Sequence, residues 1–129
     1  KNELLAIWSN TFENFKALLP KIPQPTISQF VFDQVTHEHD IRHAISQPGA
    51  RDSRAIAVAE GFVRDLIARN PDPEINALAD SPMIGFDFVR SFTGRRSKAQ
   101  IAELGLPAET VAAFIRTSPF DIPAESIVE

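Results

Sequence analysis

The chain has 129 residues, 43% hydrophobic and 23% charged, which suits one globular domain with enough apolar side chains for a core. Its net charge of −4 argues against nucleic acid or an anionic membrane as the main partner. No apolar run approaches the roughly 20 residues a membrane span needs, and the absence of cysteine excludes disulfides, a thiolate nucleophile and a cysteine zinc site. A cysteine-free chain fits a reducing, cytoplasmic setting.

Residues 2–19 read as the first helix, because Leu4, Ile7, Trp8, Phe12, Phe15, Leu18 and Leu19 recur at helical spacing. The charged and polar residues Glu3, Asn10 and Glu13 in it are unlike a signal peptide. Pro20 closes the segment, and the linker from Lys21 to Thr26 contains two more prolines that cannot continue a helix. The stretch from Thr26 to Gln47 reads as one long amphipathic helix carrying all three histidines. Its expected core stripe is Ile27, Phe30, Val31, Gln34, Glu38, Ile41 and Ile45. Asp33, His37 and Asp40 fall on a neighbouring stripe, while His39 and His43 form a separate pair rotated away from His37.

The turn Gln47-Pro48-Gly49-Ala50 precedes a third helix over about 53–70, capped by Asp52 or Ser53. Its expected core face is Ala55, Ile56, Ala59, Phe62, Val63, Leu66 and Ile67, with Arg54, Glu60, Arg64 and Arg69 turned outward. These three helices are expected to form consecutive members of an antiparallel bundle. Beyond Pro71 and Pro73 the helices become short: one turn over 74–78, then Gly85–Thr93 with Phe86, Phe88, Val89 and Phe92 apolar. Gly94 ends that helix, Ser97 caps the next over Lys98–Leu104, and Gly105 ends it in turn. Pro107–Arg116 forms the last helix, and the tail from Ser118 is extended. The pattern predicts an all-α chain, with a bundle segment over 1–70 and a helical extension over 71–129 packed on it as a single domain.

Asp33 and His37 are the sharpest chemical feature. A carboxylate and an imidazole four residues apart on a helix project together, as metal ligands on one turn do. Asp40 lies one turn from His37 and is placed to accept the imidazole's other N–H. The ordinary alternative is a charge-assisted hydrogen bond between Asp33 and His37. Arg95, Arg96 and Ser97 form a basic turn at a helix start, suited to a phosphate or carboxylate, unless the arginines pair within the bundle. Residues 97–116 have the rhythm of a helix-turn-helix, but the second helix offers Glu109 and small apolar residues, with Arg116 its sole cation. Reading DNA requires donors that this helix does not offer.

The stretch Phe32-Asp33-Gln34-Val35-Thr36-His37-Glu38-His39-Asp40-Ile41-Arg42, followed by Gln47-Pro48-Gly49-Ala50-Arg51-Asp52-Ser53, resembles the mycothiol-dependent maleylpyruvate isomerase family of actinobacteria, within the DinB-like superfamily. The run from Phe86 to Ile101, FDFVRSFTGRRSKAQI, is similar to a C-terminal signature of many of its uncharacterised members. The resemblance implies a DinB-like antiparallel four-helix bundle with a divalent metal, zinc foremost, and a low-molecular-weight thiol such as mycothiol as cofactor. It places Asp33 at the family's glutamate ligand, one methylene shorter, and His37 at its histidine ligand. The family carries two helices and a further metal-binding histidine ahead of this region, and no histidine precedes His37 here. The sequence, which opens on Lys1, is therefore expected to be either partial, lacking the first two helices of the bundle, or a shortened relative. It is expected to associate with itself or with a missing N-terminal segment. Three functions follow as expectations: a metal- and thiol-dependent isomerase or transferase acting on a small molecule, a non-catalytic bundle serving protein association, and a helix-turn-helix regulator.

Overall fold

The computed structural model describes residues 2–128. Lys1, on which the sequence opens, and Glu129 lie outside them. Seven helices follow one another: α1 (Asn2–Leu18), α2 (Gln24–Ala44), α3 (Arg54–Ala68), α4 (Pro73–Asn76), α5 (Gly85–Phe92), α6 (Lys98–Glu103) and α7 (Ala108–Ile115). Single 3-10 turns occupy Leu19–Lys21 and Ala77–Asp80, and no strand occurs among the described residues. The chain is all-helical, and no described helix is long and apolar enough to cross a membrane.

Local chemistry sets the helix ends. Ser53 accepts a hydrogen bond from the Ile56 N–H and starts α3. Ser97 and Gln100 make a reciprocal capping box at the start of α6. Asp72 takes the Glu74 and Ile75 N–H groups at the start of α4. Helix α2 begins at Gln24, not at Thr26, because Pro25 falls in the first turn, where a missing N–H costs nothing.

The core is built around α3. One cluster joins Val63 and Ile67 of α3 to Ile75, Leu78, Phe88, Phe92, Ile101 and the buried residues of α7. A second joins Ile56 and Ala59 to Val35 of α2 and to Phe86 and Val89 of α5, and Phe32 packs against both clusters. Of the four residues expected to point outward from α3, Arg54 and Arg69 do so, whereas Glu60 and Arg64 reach the segment 79–85. Arg64 lies 4.2 Å above the Phe88 ring and donates to the carbonyls of Ala79, Ser81 and Met83. Glu60 accepts from Arg64 Nε and from the Gly85 N–H. Backbone groups outside a helix need partners, and this ion pair supplies four of them.

Two expectations fail. The buried face of α2 is not the stripe through Phe30, Gln34, Glu38, Ile41 and Ile45, all of which are exposed, Ile41 to 60%. The chain buries Val35, Thr36 and His39 instead, because α3 and α5 pack on that side: Val35 joins Ile56, Ala59, Phe86 and Val89, Thr36 Oγ1 donates to the Phe32 carbonyl, and His39 sits edge-on to Phe86 at 4.7 Å. Nor does α1 join a three-helix bundle. Trp8 is 75% exposed and Leu4 70%, and the ring contact that links α1 to α2 is Phe15 against Phe30, beside the proline-bound linker.

Candidate functional site

Asp33 and His37 stand side by side on α2, with His37 Nε2 3.6 Å from Asp33 Oδ1 and both side chains more than 60% exposed. They share the outer face of α2 with Phe30 and Ile41, which are themselves exposed. Among the described residues no three His, Asp or Glu side chains come together as a metal-binding group. The pair thus offers one nitrogen and one oxygen donor, a set that suits zinc, but falls one ligand short of the three a catalytic zinc site keeps.

Asp33 also lines a groove of about 610 Å³ between the first half of α2, the second half of α3 and the tail. Six phenylalanines, Phe30, Phe32, Phe62, Phe92, Phe114 and Phe120, stand in its walls, with Arg69 as its cation. An apolar cavity with a few charged groups at one side is the usual form of a small-molecule site.

Asp40 faces away from this pair, toward α5 and the turn after it. Arg90 Nη2 donates to its Oδ1 at 2.9 Å, and Arg95 Nη2 donates to its Oδ2 at 2.7 Å. Arg90 is 2% exposed and also donates to the Thr36 carbonyl, so the carboxylate joins α2 to α5. Burial alone would raise the Asp40 pKa, but hydrogen bonds and charge from Arg95 and Arg90 outweigh it and hold it below the ordinary value. Its acceptor capacity goes to the arginines; a bond to the His37 imidazole is not part of the arrangement.

The basic turn is likewise engaged within the chain. Arg95 donates to Asp40 and to the Thr93 carbonyl and lies 5.0 Å from the centre of the Phe120 ring. Arg96 is buried, donating to Asp87 at 2.9 Å and to the Arg95 carbonyl. Ser97 caps α6 and meets the Ser126 hydroxyl at 3.0 Å. In the segment with helix-turn-helix rhythm, α7 buries Val111, Ala112, Phe114 and Ile115 in the core, and Lys98 pairs with Glu109.

His39 and His43 part company. His39 is buried and His43 exposed, yet both line a cavity of about 250 Å³ with Arg42, Arg51, Gly49 and Phe86. Sequence reasoning missed Arg90, the buried hub of the Asp40 network. Its signal was an arginine inside the run Phe86–Phe92, one turn from Phe86 on the face of a short apolar helix. Comparison with protein-family models, with curated proteins and with solved structures found no match to this chain.

Proposed function

We propose that the chain acts through the uncovered face of α1 and α2. It is one side of a DinB-like helical bundle that, when covered, holds a divalent cation at Asp33 and His37. The observation that carries this reading is the position of the pair. A histidine and a carboxylate with donor atoms 3.6 Å apart occupy the middle of an exposed apolar helix face, beside an aromatic groove. A facing surface that covers Phe30 and Ile41 would bring its own side chains to His37, and one further donor there gives the three protein ligands of a catalytic zinc site. Zinc or a similar ion at this point would lower the pKa of a bound low-molecular-weight thiol such as mycothiol, the chemistry of a thiol-dependent isomerase or transferase. Asp33 and His37 would hold the ion, and the groove would seat the apolar part of a small substrate.

Zinc retention tests the proposal. After equilibration with zinc and exhaustive dialysis, the chain is expected to retain metal in proportion to protein. Asp33→Ala and His37→Ala should each abolish retention without changing the helical circular dichroism signal. A wild-type chain that retains no zinc, or retention unchanged by both substitutions, overturns the metal reading. A second reading, non-catalytic protein association, draws on the exposure of α1, none of whose large apolar side chains is buried. It predicts association with no dependence on His37.

A further inference from the structure

Helix α1 carries an apolar seam at alternating three- and four-residue steps, Leu5, Trp8, Phe12 and Phe15, which Leu19 continues into the 3-10 turn. Helix α2 carries a stripe of the same spacing on its outer side, Ile27, Phe30, Gln34, His37, Ile41 and Ala44, in which Gln34 and His37 are polar and the rest apolar. This spacing keeps a stripe facing a neighbouring helix and is the pattern of knobs-into-holes packing. Both seams are uncovered over most of their length; Trp8, Phe12 and Ile41 each leave more than half their surface to solvent. The three prolines at 20, 23 and 25 stiffen the connection between the helices, and the ring contact of α1 with α2 is Phe15 against Phe30, at the linker end.

We infer that a second copy of this chain covers the face, with α1 of each copy lying along the α2 seam of the other. The inference rests on the reading above that the face is an interface, and it names the partner. Nine large apolar side chains of α1 and α2 are exposed. At roughly 100 Å² each they present on the order of 1,000 Å² per copy, from the 150–250 Å² that an aromatic side chain can bury. That exceeds the roughly 300–600 Å² of the largest apolar patch on a typical monomer. Two such faces together bury about 2,000 Å², the area of a stable, permanent dimer. The exchange also sets the α1 seam against a stripe of the same period on α2. His37 of each copy comes to lie under the partner's α1 seam, out of water.

Sedimentation of the full chain over a wide concentration range tests this. A dimer is expected. Trp8→Glu and Ile41→Glu, at sites exposed in the single chain, should each raise the concentration of half-dissociation roughly a hundredfold while helix content stays unchanged. Because the chain has no cysteine, mixing Phe12→Cys with Ile41→Cys should yield a disulfide between the two different chains, showing that α1 crosses to the partner. A chain that stays monomeric throughout, a dimer indifferent to both charges, or a cross-link that forms only when both cysteines sit on one chain overturns the inference. Zinc retention is read separately: a monomer that retains zinc removes the second copy and leaves the metal reading standing.

Discussion

Replacing Arg90 with alanine is expected to destabilise the fold by about 3–4 kcal/mol, the range for deleting a large buried side chain and breaking a buried ion pair. Arg90 is 2% exposed, and its guanidinium spans from the Thr36 carbonyl to Asp40 with the Phe86 ring 5.8 Å away. The alanine variant leaves a void between α2 and α5 and reduces the arginine partners of Asp40 from two to one. Arg90→Met fills most of that volume, so it isolates the electrostatic part and should cost less, about 1–2 kcal/mol. The two variants also differ from wild type in acid. Because the folded-state pKa of Asp40 is lowered, its stabilising contribution is complete above the unfolded-state value of about 3.9 and is lost as pH falls through the folded value. Wild type should therefore lose stability faster than either Arg90 variant as pH falls below about 4. Urea titrations at a series of pH values give both quantities. Parallel acid profiles for wild type and Arg90→Met would show that Arg90 contributes volume and not charge.

The parts of the fold that were legible in the sequence are those decided by neighbours a few residues apart. Ser53 and Ser97 each cap through an N–H three residues on, and the glycines at 94 and 105 end helices with positive φ. The apolar members of α5 were legible for the same reason, since Phe86, Phe88, Val89 and Phe92 crowd a helix of only eight residues. The buried side of α2 was not. Apolar residues occur all round that helix, with Phe30 and Ile41 on one side and Phe32 and Val35 on the other. The side that wins contains the polar residues Thr36 and His39, because α3 and α5 pack there, and counting apolar residues cannot anticipate that. The role of Asp40 was hidden because its partners lie 50 and 55 positions along the chain. The reading of Asp33 and His37 as neighbours on one turn needed only helix geometry, and the structure places their donor atoms together.

Gly94→Ala is expected to cost about 3 kcal/mol, combining a left-handed backbone with a steric conflict. Gly94 has φ +69, a conformation that costs a side-chain-bearing residue about 1–2 kcal/mol. A Cβ there would also run into the carbonyl oxygen of Asp121 and stand 3.2 Å from Phe120 Cβ. Backbone cannot swing aside as a flexible side chain does, so the tail must lift. Lifting it separates Phe120 from the Arg95 guanidinium and from Phe32, opening the aromatic groove at one wall. Two other glycines separate these terms. Gly105 has φ +80 but open space around its Cβ position, so Gly105→Ala should show the backbone cost alone, about 1–2 kcal/mol. Gly61 lies within α3 with nothing within 4 Å, and Gly61→Ala should stabilise by about 0.5–1 kcal/mol. Urea unfolding of the three variants yields the order, and limited proteolysis near Ser118–Phe120 reports the tail. Equal losses for Gly94→Ala and Gly105→Ala would mean that the tail does not rest on the turn, and the groove would then lack the wall that Phe120 provides.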